Sequence, residues 1–526
     1  MKATFKPLSL AVAVATASAG YAGIVNAQTL AGNTSLGDLA IVPYYTVQAG
    51  WSTGVNVINT SSETQVVKIR LRRAVDSMDA LDFNVILSPE DVWTGYVQQV
   101  GEDIRFFTND ASCTVPALTE NYLQMPNIYR LGAEEGYIEI LGMGAANSSQ
   151  PISKAAKHND SGVPANCDLA RENFFPGATP SDYATSYPTG SGRTKGVINS
   201  TLTRQSTTNV ALSSPGLSNF TDTGNVLKVS WFIKSDVSGT EFGNDAVHIA
   251  DYTDGATITN QRQGINEGDL QGFDHPDLNG GAPTSVILGV AGAAGRGTYE
   301  PIRVALGAAS VINDWSGNTT EQFTVDTDWV VTTPGQYLMT NLSAYIDSLE
   351  VGGDPCDYGD PALPYDDDPE SSTYGENCDF RDIPLTVSAS IRDREERGIQ
   401  AEEDDLVVSP QPPGEVTVVQ FDQEVNVVQW GTNEVVNSAK NVIIPKPDGA
   451  QFGWATVSVT PNSKTIQGIC DFTDYGVLPL GVSCAETSTP VPLVGFVAWQ
   501  RNFGANPDAN YGRAVEHSYA SSSSAP

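Results

Sequence analysis

The sequence predicts a mostly β protein made of two or more β-sandwich-like modules joined by long Gly/Ser/Pro-rich loops. Three observations predict it. Residues 50–97 alternate apolar and polar side chains with period 2 through successive segments, the signature of half-buried strands. Short segments of this kind recur along the chain with turn residues between them, as they do in sandwiches and barrels. Charged residues are 17% of the chain. That is below the roughly 25% of ordinary globular proteins, and Gly, Ser, Thr and Asn make up the difference, as strands and turns require. No repeat of fixed period is visible, which disfavours a regular solenoid or propeller.

Residues 1–27 read as a signal peptide. Lys2 and Lys6 supply a basic start, residues 8–14 an apolar core, and Val25-Asn26-Ala27 a cleavage site, so the exported chain is expected to begin at Gln28, with Ala19 and Ala22 as alternative cleavage points. That apolar core is too short to span a membrane, and no later stretch reaches the length of a spanning helix, so no transmembrane segment is expected.

An N-terminal β domain with long loops is expected over 28–220. Val55 and Val57 lead into the turn-forming cluster Asn59-Thr60-Ser61-Ser62-Glu63-Thr64. Beyond it Val67, Ile69 and Leu71 share one face and Lys68, Arg70 and Arg72 the other, which is read as facing out. Leu81, Phe83, Val85 and Leu87 repeat the pattern, with Asp82 and Asn84 read as pointing to solvent. Residues 137–141 form a buried strand, and 147–219 lack periodicity, as functional loops do.

A middle β domain is expected over 221–351, with strands at 226–233, 285–290 and 327–334, the last closed by proline. An acidic, disulfide-closed linker follows over 352–384. The C-terminal β domain, 385–520, carries strands at 385–391, 415–421, 425–430, 455–459 and 494–499, and 521–526 is a disordered tail.

The chain holds 62 acidic and 28 basic residues, a formal charge of −34, which excludes a nucleic-acid partner for want of a basic footprint. Its six cysteines, Cys113, Cys167, Cys356, Cys378, Cys470 and Cys484, form an even set, as in disulfide-bonded exported proteins. Their spacing suggests pairing in sequence order, although six cysteines permit other connectivities.

Catalytic patterns are weak. The run Gly289-Val290-Ala291-Gly292-Ala293-Ala294-Gly295-Arg296-Gly297 lacks the spacing and the following helix of a phosphate loop and reads as a hairpin. His158, His248, His275 and His517 share no metal-ligand spacing, and no Gly-x-Ser-x-Gly elbow occurs. No enzyme is expected, and no catalytic residue is assigned.

The chemistry most favoured by the residues is calcium binding. Asp357, Asp360, Asp366, Asp367 and Asp368 lie in one turn-rich segment, and Glu402, Glu403, Asp404 and Asp405 in another. Calcium takes six to eight oxygen ligands in flexible geometry, which such loops supply. A solvated acidic surface is the competing reading of any one of these residues.

Residues 44–96, residues 327–334, Ile391-Arg392-Asp393-Arg394-Glu395-Glu396 and the stretch Pro492-Leu493-Val494-Gly495-Phe496 resemble exported cell-surface proteins of Gram-negative bacteria, in particular the surface-layer proteins of marine gammaproteobacteria. The resemblance implies self-assembly into a two-dimensional array outside the outer membrane, with divalent cations helping and lipopolysaccharide as an attachment partner. Lys68, Arg70, Arg72 and Arg73, the densest basic patch of the chain, are the expected assembly face; pairing with the chain's own acidic loops is the alternative. A secreted carbohydrate-binding protein or carbohydrate-active enzyme is the rival function, with Trp51, Trp93, Trp315, Trp329 and Trp454 as candidate groove residues.

Overall fold

The computed structural model describes residues 29–30, 36–75, 77, 79–126, 130, 132–171, 220–252, 278, 302–320, 322–335, 385–398, 417–430, 434–461, 491–504 and 506–520. As the sequence predicts, the chain is mostly β and builds more than one packed module.

The first module is a sandwich of two sheets. Its strands are β1 (Thr29–Leu30), β2 (Leu39–Thr46), β3 (Trp51–Asn59), β4 (Thr64–Arg73), β5 (Asp79–Leu87), β6 (Val92–Val100), β7 (Asp103–Phe107), β8 (Cys113–Val115), β9 (Tyr122–Gln124), β10 (Glu135–Ala146), β11 (Leu227–Ser235), β12 (Glu241–Asp245) and β13 (Val247–Ala250). One sheet runs in the order β1-β13-β2-β10-β4-β5-β8 and the other β12-β11-β3-β6-β7-β9. Two short helices, α1 (Pro151–Ala156) and α2 (Cys167–Arg171), lie on the first sheet.

The polar cluster after β3 is a corner between layers, because β3 pairs with β6 and β11 whereas β4 pairs with β5 and β10. Asn59 holds that corner: its amide donates to the Glu63 and Ser88 carbonyls, and its oxygen accepts from the Ser61 N–H and hydroxyl. A tight hairpin would instead have kept β3 and β4 in one sheet. Between the layers Phe83 meets Trp93 and Phe106, with ring centroids 6.0 and 5.0 Å apart. These aromatic contacts add to the burial of apolar area that drives the layers together.

The second module holds β14 (Gly307–Ala308), β15 (Ser310–Thr319), β16 (Thr324–Thr332), β17 (Leu385–Asp393), β18 (Thr417–Phe421), β19 (Val425–Trp430), β20 (Asn441–Ile444), β21 (Phe452–Pro461), β22 (Val491–Pro492), β23 (Val494–Asn502), β24 (Tyr511–Glu516) and β25 (Ser518–Ala520). β15 links its two halves. Residues 310–316 pair with β21, beside β17 and β18, and residues 317–319 pair with β16, beside β19 and β23. At β21 the chain passes so close to β17 that a Cβ on Gly453 would lie 2.0 Å from the Arg392 carbonyl oxygen, which only glycine accommodates.

The expected middle domain does not form a unit of its own. Its first strands, β11 to β13, complete the two sheets of the first sandwich, while β15 and β16 belong to the second module. The reason is pairing: β11 is the ladder neighbour of β3 over nine residues, a contact no local pattern announces.

Candidate functional site

The expected assembly face is not a surface. Lys68 and Arg70 are 0% exposed and Arg72 and Arg73 1%, and every residue of β4 and β5 is buried. Alternation does place Lys68, Arg70 and Arg72 opposite Val67, Ile69 and Leu71, but the face they occupy is covered. Asp82 and Asn84, expected in solvent, are buried beside them. The correction has a physical cause in the adjoining strands. Lys68 Nζ lies 2.8 Å from an Asp82 oxygen, and Arg70 Nε lies 3.0 Å from Asp79. Arg70 also reaches Glu139 at 3.6 Å, and Arg72 grips both Glu139 oxygens at 3.0 and 3.4 Å. Arg72 further donates to the Ser77 carbonyl, and the Ser77 and Tyr137 hydroxyls are 2.7 Å apart.

The result is a buried ladder of three cations on β4 facing three carboxylates on β5 and β10. Removing each charge from water costs several kcal/mol, so such a layer forms only when the pairs are made together. Beside it the same face turns apolar. Val66, Ile86, Val115 and Met143 meet Ile152, Ala155 and Ala170 of the helices. The disulfide Cys113–Cys167 ties β8 to α2, so one pairing expected from sequence order is present. Cys356, Cys378, Cys470 and Cys484 lie outside the described residues.

A second polar centre joins the modules. Glu135, at the start of β10, accepts from the Tyr44 hydroxyl at 2.7 Å, the Ser438 hydroxyl at 2.5 Å and the Ala439 N–H at 2.7 Å. Burial, reinforced by the Glu135 charge, holds the Tyr44 phenol well above its ordinary pKa, so it stays a donor. Nearby the Thr332 hydroxyl donates to the Pro43 carbonyl, and the Glu424 and Val425 N–H groups donate to the Ala74 carbonyl. Trp231 of the first module packs on Phe496 of the second, 4.7 Å between centroids, and one apolar core runs through both modules.

The described histidines are structural and far apart. His248 is held neutral chiefly by burial, with Lys228 adding to the effect, and its Nε2 accepts from the Val229 N–H across the first sandwich. His517, pushed down to about 4 by burial, lies with Nε2 3.0 Å from the Val330 carbonyl and so donates to it. His158 Nδ1 meets the Ser88 hydroxyl at 3.1 Å and Asp91 at 3.6 Å. A proton relay uses opposite nitrogens of the ring. Here one nitrogen faces both partners, and Asp91 also accepts directly from Ser88, so the trio closes the corner between β5 and β6.

Of the five tryptophans considered for a sugar groove, Trp51, Trp93, Trp315 and Trp329 are core residues, and Trp454 is exposed at 44%. Asp357, Asp360, Asp366, Asp367, Asp368, Glu402, Glu403, Asp404 and Asp405 all lie outside the described residues, and with them the calcium expectation.

Sequence reasoning passed over the outer face of the β23–β24 hairpin. Arg501 stacks over Phe323 at 4.8 Å from the ring centroid and also lies over Trp499 and Tyr511 at 5.5 and 5.6 Å, while Arg513 lies over Trp499 at 4.6 Å. Phe503 packs on Phe323. The available signal was the spacing: Trp499, Arg501 and Phe503 share one strand face by period 2, as do Tyr511 and Arg513.

Among the described residues no helix is long and apolar enough to cross a membrane. No protein-family model matches the chain, and no curated protein is significantly similar to it.

Proposed function

We propose that this protein is a structural component of the cell exterior, exported by its signal peptide, that self-assembles into a two-dimensional surface layer outside the outer membrane of a Gram-negative bacterium. Divalent cations, calcium first among them, bridge its acidic loops to one another and to lipopolysaccharide. The observation that carries the reading is the fusion of two β modules through one core and a buried polar junction at Glu135. An array transmits lateral load through each subunit. A hinge between modules would let the lattice shear, whereas a continuous core resists it.

The Cys113–Cys167 bridge agrees with an oxidising location, and the acidic composition with a soluble exterior that depends on cations to pack closely. Negative-stain microscopy of outer-membrane fragments tests the reading. A regular lattice that contains this chain, and that disperses on chelation of calcium, is the expected result. Dispersed monomers that cleave or bind a glycan would sink it in favour of the carbohydrate-directed reading.

A further inference from the structure

The outer face of β23 and β24 holds two arginines that make no ion pair among the described residues. Arg513 is exposed and Arg501 partly so. Neither has a carboxylate within 4.0 Å among the described residues, and Arg501 Nε is a shielded donor with no hydrogen-bond partner. Register sets them as diagonal neighbours. Arg501 is opposite Tyr511 and Arg513 opposite Trp499, which on one face of an antiparallel pair separates them by roughly 7–8 Å at the backbone.

This placement is unusual for a chain with 62 acidic residues and 28 basic ones. Lys68, Arg70 and Arg72 of β4 are matched with the buried acids Asp82, Asp79 and Glu139, yet these two are matched with rings. Stacking on Phe323, Trp499 and Tyr511 fixes the guanidinium planes and spends little further side-chain freedom when a ligand arrives. Because the ring faces are already taken by guanidinium, what the patch offers outward is N–H forks, and a fork matches a planar carboxylate with two parallel hydrogen bonds.

We propose that Arg501 and Arg513 form a carboxylate-binding site whose occupant is an acidic segment of a second copy of this chain. Charge complementarity selects the occupant: a body of net charge −34 repels its own copies, and a pre-organised cationic pair is where one copy can receive another's carboxylates. The inference rests on the self-assembly reading and names one of its contacts. The contact is heterologous, joining two different surfaces, and so leaves each copy with a free site of either kind unless the copies close into a ring.

Sedimentation of the full chain across a salt series tests it, with Arg513→Glu and Arg501→Gln examined singly and together. Wild-type association should weaken as salt rises. Each variant should raise the dissociation constant at least about tenfold, the loss expected for one charge-assisted hydrogen bond, with an unchanged circular dichroism spectrum. Arg513→Lys, which keeps the charge and loses the fork, should fall between wild type and Arg513→Glu; this reads the site even if the double variant fails to fold. Variants that associate like wild type, or that lose binding to lipopolysaccharide vesicles while still self-associating, overturn the proposal. A lattice that persists in the variants overturns this contact and leaves the surface layer standing, whereas a wild-type chain monomeric at every salt concentration overturns both.

Discussion

Replacing Asp328 with Asn should remove a pH dependence that the fold builds into its second module. Asp328 is buried on β16, and one of its oxygens accepts from the Val435 and Val436 N–H groups at 2.7 and 3.0 Å. Burial lifts its pKa from 3.8 to about 7, against the pull of those two donors. The folded state therefore holds a proton that the unfolded chain releases. Its contribution to stability is fully present below 3.8 and declines as pH rises towards 7, after which it is level. At about 1.4 kcal/mol per unit, the decline amounts to roughly 4 kcal/mol. Asparagine keeps an acceptor for both N–H groups and has no proton to lose. Urea unfolding from pH 4 to pH 8 should therefore show the variant gaining on wild type by about that amount as pH rises. The difference between the two proteins is the quantity to read, because His517 acts in the opposite sense. Its pKa is lowered from 6.5 to about 4, so its contribution is present above 6.5 and lost as pH falls through 4. Parallel stability curves for the two proteins would refute the assignment of a buried, proton-holding carboxyl at Asp328.

Three further outcomes follow from the first module. Glu139→Gln strips the counter-charge shared by Arg70 and Arg72 and should cost about 3–5 kcal/mol in urea unfolding; a loss below about 1 kcal/mol would mean that this face is hydrated. The reversal of Lys68 and Arg70 to Glu, which would spare the fold if those residues lay at an edge, should instead abolish cooperative unfolding. Cys113→Ser with Cys167→Ser opens a bridge closing 54 residues. It should lower stability by roughly 2–4 kcal/mol and make the segment of the two helices the first site of limited proteolysis. Unchanged melting and unchanged cleavage would place the bridge outside the stabilising framework.

Much of the strand content was legible because period 2 is a local property. β4, β5, β11, β16, β17, β19 and β23 each fall where the alternation or an apolar run places them. Strand order was not legible, since it depends on pairings between distant segments: β10 sits between β2 and β4, and β11 beside β3. This is why the chain between 221 and 351 read as a domain while its strands are shared by two modules. The site was misread at β4 for a related reason. Alternation shows that a strand has two unlike faces and does not say what lies over the second one. A charged face on a strand usually means water; here it means three acids brought in by β5 and β10.

One feature of the sequence could have separated the two cases. On the shared face of β4, β5 and β10 the charges come in matched sets, Lys68, Arg70 and Arg72 against Asp79, Asp82 and Glu139, in a chain that holds 62 acidic residues and 28 basic ones. Local balance inside a globally acidic chain marks charges that neutralise each other before any partner arrives. Local imbalance is the more informative sign of an interaction surface. On β23 and β24 Arg501 and Arg513 face Tyr511 and Trp499 across the ladder, with no acid among the described residues of the shared face to answer them. By that criterion the surface with affinity to spare for a second acidic copy lies on the outer face of β23 and β24, and the basic strand that first drew attention has already satisfied its charges inside the fold.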